Sequence, residues 1–451
     1  MASERVDVSK LIDDTPFAGF QVLMVIVGFF LLALDGFDAQ VISFVAPTLE
    51  KVWGTSAETL APIFSSSLVG LAIGALISGP IADRIGRKTT VCSAVFLCGI
   101  FSIITTTASG VGSLLVMRFL TGLGLGGCMG NVTALLAEYS PTRIRKTILS
   151  IMWTGFPFGA TLGGIISAQM IPALGWTSVF YLGGIAPIVI GLIAIGVLPE
   201  SIRFLVLHGR KQARVAVSLN RIAGPGTVSD QSDFYLPESR LPGVPVKHLF
   251  TEGRAVNTVL VWIVFFMTLL LIYFLTNWMP TLLQGAGFPM GRAIIATAML
   301  QGGGIVGTIV LGSTSDRANP KVVLSVSSLL AVVLLILLGY MHTIGGLIVV
   351  LFFCGFFIIG VQSNMNAIAA SVYPTSARST GASWALGVGR IGSIVGPLIG
   401  GALVAAQWTL PNIFMLAAVA ALVAAIGLSL ISRKLVDSRI AGAEQGSVAA
   451  K

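Results

Sequence analysis

The sequence predicts an all-α integral membrane protein whose twelve transmembrane helices form two parallel six-helix repeats. Three observations carry that prediction. Apolar runs of about 20 residues, enough to cross a bilayer core as helices, recur along the whole chain. Only 10% of residues are charged, against roughly 25% in a soluble domain. Several Gly, Asp, Asn and Arg residues recur at one fixed spacing of 233 positions.

The runs lie at 19 to 45, 58 to 82, 89 to 108, 112 to 137, 147 to 171, 176 to 198, 255 to 280, 290 to 314, 321 to 341, 344 to 370, 377 to 405 and 410 to 432. Residues 1–18 are polar and mixed in charge, with Glu4, Asp7, Lys10, Asp13 and Asp14. They read as a cytoplasmic tail before a retained first span, not as a secretory signal. Residues 19–198 then form a first six-helix bundle and 254–432 a second, with a further cytoplasmic tail at 433–451. The connector, 199–253, carries Arg203, Arg210, Lys211, Arg214, Asp230 and Asp233. A short amphipathic helix is expected there over Ser201 to Ala223, with loop after it.

The repeat is read from Gly79 and Gly312, Asp83 and Asp316, Gly127 and Gly360, Asn131 and Asn364, Pro141 and Pro374, Thr142 and Thr375, Arg145 and Arg378, Gly159 and Gly392, and Gly163 and Gly396, each pair 233 residues apart. Both copies fall on the same face, so the repeat is parallel, with its axis along the membrane normal. Of the 27 Lys and Arg, all but Lys51, Arg292, Arg118 and Arg390 fall on one side of the predicted topology. The positive-inside rule makes that side cytoplasmic, with both termini there. The net charge of +9 therefore expresses topology and implies no nucleic acid partner.

Cys92, Cys98, Cys128 and Cys354 lie inside apolar spans without ligand spacing, which implies neither disulfide nor metal. No phosphate-binding loop occurs; Gly86-Arg87-Lys88-Thr89 is the nearest stretch and lacks the spacing. Without ATP or a cofactor, the driving force expected is a proton gradient. Gly122-x-Gly124-x-x-Gly127 and Gly387-x-Gly389-x-x-Gly392 match a dinucleotide fingerprint as strings, but they sit inside spans, where small residues serve helix packing. His208, His248 and His342 fall in the connector or near a span end and read as surface residues.

Asp35 and Asp38 lie well inside the first span, where an acid costs roughly 2.5–3.5 kcal/mol on insertion scales. Three residues apart, they project from nearly one helix face. Two carboxylates so close resist ionising together, which suits one of them to carry a proton; the alternative is that each pairs with an arginine to hold helices together. Arg118 in the fourth span is the candidate partner of Asp35 or Asp38. Arg390, near the middle of the eleventh, could clamp a carboxylate bidentately or answer a carbonyl. Candidate residues lining a substrate site are Gln40, Asn131, Trp153, Tyr273, Asn277, Trp278, Gln301, Gln362, Asn364, Asn366 and Trp384, alongside Arg390. Arginine with stacking rings suits an aromatic carboxylate, while the asparagines can equally bond between helices. A cytoplasmic gate is expected from Gly79, Asp83, Arg84, Gly86, Arg87, Lys88, Glu138, Arg143, Arg145, Asp316 and Arg317, with Asp83 accepting bonds from the start of the eleventh span and from Arg84 or Arg143, and with Glu138, Arg143 and Arg145 in the same latch. A solvated charge cluster is the alternative.

The Gly79 to Lys88 loop resembles the signature of the major facilitator superfamily, and Gly312 to Lys321 resembles its second copy. Asp35-Gly36-Phe37-Asp38, Pro199-Glu200-Ser201-Ile202-Arg203-Phe204, Asn277-Trp278-Met279-Pro280-Thr281 and Gly389-Arg390-Ile391-Gly392 are similar to segments of its aromatic acid/proton symporters. The resemblance covers essentially the whole chain. It implies the major facilitator fold, alternating access, and proton-coupled import of 4-hydroxybenzoate, protocatechuate, benzoate or gentisate across a bacterial inner membrane by a monomer. It also implies the pairing of a first-span acid with Arg118. An exporter of drugs or metabolites and a non-transporting sensor of aromatic acids are the rival readings; an enzyme is disfavoured because no nucleophile with a base appears in the spans.

Overall fold

The structure, a computed structural model, describes residues 5–207, 212–224, 226–229, 232–235, 246–251, 253–373 and 377–432. His208, Arg210, Lys211, Asp230, Pro374, Thr375 and the tail at 433–451 lie outside the described residues. The chain opens with strand β1 (Arg5–Asp7) and helix α1 (Val8–Asp14), where a polar tail was expected. Six spans follow: α2 (Gly19–Trp53), α3 (Ala57–Ile85), α4 (Arg87–Thr105), α5 (Val111–Glu138), α6 (Arg145–Trp153) continued by α7 (Gly155–Leu174), and α8 (Thr177–Val197). The connector holds α9 (Ile202–Leu207), α10 (Gln212–Ala223), β2 (Asp233–Tyr235) and a 3-10 turn (Val246–Leu249). Six more spans complete the chain: α11 (Ala255–Gly285), α12 (Met290–Arg317), α13 (Pro320–Leu338), α14 (Ile344–Val372), α15 (Arg378–Ala405) and α16 (Leu410–Leu430). Among the described residues, twelve helices are thus long and apolar enough to cross a membrane.

Helix α2 runs eight residues past its expected end at 45, through Pro47. The extension is held by burial: Ala46 and Leu49 are almost completely covered. Two compact units emerge, one of Met1–Val45 with Ser66–Arg240, the other of Ala46–Ser65 with Leu241–Lys451.

The two units repeat the same internal packing. A Cβ placed on Gly70 would strike the Phe119 carbonyl, and one on Gly303 the Phe352 carbonyl. Gly122 meets Ser67 as Gly355 meets Leu300, and Gly159 meets Ala33 as Gly392 meets Phe266. In every case both contacting residues are displaced by 233 positions. The repeat therefore conserves backbone approach between particular helices, which requires glycine where one helix presses on the next.

The connector is tied to the chain's beginning. β1 pairs in parallel with β2 in the register Arg5–Asp233, Val6–Phe234 and Asp7–Tyr235. Asp7 caps α1 by accepting from the Lys10 amide at 3.1 Å. Asp13 then accepts from the Thr142 amide at 2.6 Å and from its hydroxyl at 2.9 Å, in the turn before α6. The Arg5–Asp233 ion pair, at 3.3 Å, is exposed on both sides and contributes little. The apolar seam does the holding: Val8 and Ile12 share one buried cluster with Val215, Leu219, Ile222 and Phe234, continuous with Met24, Leu135 and Met152 of the spans. So the stretch expected as a helix holds α9 and α10 among the described residues, and the stretch after it, expected as loop, holds the strand β2, whose Phe234 shares a buried cluster with Val8 and Ile12 of α1.

Candidate functional site

The first unit gathers its intramembrane charges on α2 and α5. Arg118 and Asp38 are both 0% exposed. Arg118 donates from Nη1 to Asp38 Oδ1 at 3.1 Å and from Nη2 to Oδ2 at 2.5 Å, and Nη2 also reaches the Asp38 main-chain oxygen at 3.0 Å. The guanidinium lies 5.7 Å from the Phe180 ring centroid. This fork-on-fork pair satisfies both carboxylate oxygens. Three residues along a helix is a rotation of about 60° short of a full turn, so Asp35 points elsewhere. Asp35 is 5% exposed and leaves Oδ2 without a partner among the described residues. It borders a small internal cavity lined also by Leu31, Val95, Cys98, Cys128 and Pro187. Between the aspartates, Gly36 lets α2 approach α7 so closely that a Cβ would overlap the Phe156 carbonyl. Gln40, one turn on, is buried with neither amide atom bonded among the described residues.

Asn131 donates to the Gly127 carbonyl of its own helix at 2.8 Å, and Asn364, its repeat partner, does the same to Gly360 at 2.8 Å. Trp153 is 42% exposed at the α6–α7 junction.

In the second unit, Arg390 is half-buried on α15 and donates from Nη1 to the Tyr273 hydroxyl at 3.4 Å. Asn277 donates to the Tyr273 carbonyl at 2.7 Å. Gln362 accepts from the Thr268 hydroxyl in a short hydrogen bond. Gln301 is buried, Asn366 exposed, and Trp384 stacks on Trp262 with centroids 6.0 Å apart. Trp278 departs from its expected role as an open stacking surface. It is 0% exposed, donates from its indole to the Pro397 carbonyl at 2.8 Å, and meets Phe64 edge-on; it packs the unit's interior.

On the basic face, Glu138 does not meet Arg143 and Arg145. It pairs with Arg87 at 3.0 Å and accepts from the Ser201 hydroxyl at 2.6 Å. Arg143 donates to the carbonyls of Asp13 and Thr15, and Arg145 to that of Ser140, because the turn before α6 folds back on α1. Gly79, Asp83, Arg84, Asp316 and Arg317 are exposed. Glu200, quoted at first only for its resemblance, is the residue that organises this corner: it accepts from the Lys88 amide at 3.0 Å and the Ser201 amide at 2.9 Å, placing an anion at the start of α4. Gly86, at φ +100° and with the Glu200 carboxylate where a Cβ would go, accommodates it. Lys88 donates to the Ile195 carbonyl and its repeat partner Lys321 to the Ile431 carbonyl, each at 2.6 Å, so a lysine closes the end of the sixth span in each unit.

Known proteins share this organisation. The sequence profile of the Major Facilitator Superfamily matches residues 28–393 and 303–449. A gallate transporter of Pseudomonas putida is 40% identical over 424 residues, covering 94% of each chain. The 4-hydroxybenzoate transporter PcaK of Acinetobacter baylyi is 37% identical over 428 residues, 94% of this chain and 93% of that one. In fold, the crystal structure of a bacterial homolog of the human lysosomal transporter Spinster, inward-facing and occupied, matches with a TM-score of 0.72 at 15% identity, over 93% of this chain and 98% of that one. Twelve spans, a repeated internal packing and relatives of this kind make the chain a membrane transporter of the Major Facilitator Superfamily, belonging with its aromatic acid transporters.

Proposed function

We propose that this transporter imports a small aromatic carboxylate, of the 4-hydroxybenzoate, protocatechuate, benzoate or gentisate type, together with protons, across a bacterial inner membrane with both termini in the cytoplasm. The observation that carries the coupling is the buried pair of aspartates, one locked to Arg118 and one with a free carboxylate oxygen. Intramembrane acids that are not needed to neutralise a neighbour mark proton paths. Arg390, held by the Tyr273 hydroxyl, supplies a planar cation for the substrate carboxylate. Import of an anion against the membrane potential costs about 2.3 kcal/mol per charge per 100 mV. Taking a proton with it removes that charge. Of the 27 Lys and Arg, only Lys51 and Arg292 fall on one side of the topology, two lie inside spans and the rest fall on the other side, which by the positive-inside rule supports the orientation.

The experiment is uptake of radiolabelled 4-hydroxybenzoate and benzoate into proteoliposomes holding the purified protein, with an inward proton gradient and with that gradient collapsed. Accumulation that depends on the gradient is expected. Transport of an aromatic acid that ignores the gradient would remove the coupling. Failure to move any aromatic acid in vesicles shown to be competent would return the question to an exporter or a sensor.

A further inference from the structure

The connector helix α10 turns two different faces to its surroundings. Val215, Ala216, Leu219 and Ile222 are buried in the cluster that also holds Val8, Ile12 and Met24. Arg214, Val217 and Arg221, spaced i, i+3 and i+7, share the opposite face. All three are exposed, Val217 at 52%. An apolar side chain left open between two guanidinium groups suits a helix lying in a membrane–water boundary, where the apolar group meets acyl chains and the cations meet headgroups.

The packing of α10 fixes its depth. The Arg221 guanidinium lies 5.5 Å from the centroid of the Phe20 ring, in the first turn of the first span. From there Leu23, Ile26 and Phe30 continue along α2 as an exposed apolar stripe, the side a span turns to lipid chains. Arg221 therefore stands where that stripe begins, at the level of the headgroups. Seven residues of helix set Arg214 about 10 Å from it along the same face. Among the described residues neither arginine forms an ion pair. Of the acids on the neighbouring β1, α1 and β2, Asp7 caps α1, Asp13 bonds to Thr142 and Asp233 pairs with Arg5. Asp14, the last residue of α1, is exposed, and so is Lys10 on the same helix.

We propose that the outward face of α10 is a docking surface for anionic phospholipid, in which Arg214 and Arg221 donate to headgroup phosphates and Val217 rests between them against the acyl boundary. The chemistry is that of a guanidinium fork on phosphoryl oxygens. Its source is the bilayer: Arg221 is seated at the foot of the lipid-facing stripe, and an exposed valine gains nothing from a soluble anion. The connector is then held from within by the apolar cluster and from without by the leaflet.

The test uses the full-length protein in detergent, stripped of lipid and titrated with phosphatidylglycerol or phosphatidylcholine, with bound lipid counted by native mass spectrometry. Each arginine at an anionic surface favours binding roughly fivefold, so the parent is expected to prefer phosphatidylglycerol by about tenfold or more. Arg214→Gln combined with Arg221→Gln is expected to reduce that preference by about fivefold or more. Lys146→Gln combined with Lys247→Gln, which removes the same charge from exposed sites elsewhere, is expected to leave it within about twofold of the parent's. A preference that survives in the arginine variant, or falls as far in the lysine variant, would overturn the proposal. So would displacement of the lipid by an equal concentration of inorganic phosphate or soluble glycerophosphoglycerol, which would make this a site for free phosphate. A spin label on Val217→Cys reads the depth of the helix with both arginines in place, since the four native cysteines are buried. In phosphatidylglycerol bilayers the label is expected to be reached by oxygen more readily than by a water-soluble nickel chelate. The reverse order, that of a side chain in bulk water, would overturn the proposal even if the arginine variant failed to fold.

Discussion

Replacing Asp38 by Asn removes the charge opposite Arg118 while keeping the shape of the side chain. Arg118 is 0% exposed, out of reach of bulk solvent. Breaking a buried ion pair by removing one partner costs about 3–5 kcal/mol. Here the Asp38 main-chain oxygen at 3.0 Å and the Phe180 ring at 5.7 Å stay with the guanidinium, and the asparagine oxygen can accept one bond. These remnants place the loss at the lower end, about 3 kcal/mol, or roughly a hundredfold in the unfolding equilibrium. The measurement is unfolding in mixed micelles with increasing SDS, followed by tryptophan fluorescence, for Asp38→Asn, Arg118→Gln and the double variant. In a direct pair the double variant recovers part of the loss, with a coupling energy of about 1–3 kcal/mol. Additive losses, or an Asp38→Asn variant within about 0.5 kcal/mol of the parent, would refute the argument that this pair holds α2 to α5.

Three further outcomes follow from the geometry. Gly36→Ala should destabilise by about 1–3 kcal/mol or prevent folding, because its Cβ meets a backbone carbonyl that cannot swing away; monodispersity and melting temperature of the purified protein read this. Arg390→Ala should weaken benzoate binding about tenfold or more and binding of the neutral analogue benzamide far less, whereas Tyr273→Phe, which removes one hydrogen bond to Arg390, should raise KM several-fold with kcat little changed; calorimetric titration and initial-rate uptake separate the two. Val6→Cys with Phe234→Cys, which stand opposite each other in the strand pair, should crosslink under mild oxidation and leave the protein folded, and failure to crosslink would remove the pairing.

The reach of the sequence was greatest where one helix explains itself. Twelve spans could be read because each run is apolar over enough residues to cross a bilayer, and the 233-residue spacing anticipated packing that repeats down to individual carbonyls. Asp35, Asp38 and Arg118 stood out because acids and cations inside a span are costly. Which aspartate meets the arginine was not legible: it depends on the rotation of α2 against α5, and neighbouring positions on one face give no reading of that angle. Asn131 and Asn364 look like ligand groups in a list of polar residues, and what the sequence does not show is that each donates to the carbonyl four residues back, Asn364 also to that of Thr308. Trp278 was misplaced because its indole N–H finds a carbonyl 119 residues away. A longer separation hides β1, three residues whose partner lies 228 positions on. Glu200 could have been found from its place just after a span, where a carboxylate suits the first amides of a neighbouring helix.

The strand pair has a consequence for how the protein is made. β1 leaves the ribosome before its partner β2, which follows only after six spans have been synthesised. At about 5–20 residues per second, the first strand waits roughly 10–50 s, exposed, for the edge it will join. Until then α1 has neither α10 nor β2 to bury Val8 and Ile12. Closing the pair therefore marks the moment at which the first six spans are all present and the nascent chain can fasten the segment before the first of them to the connector after the sixth.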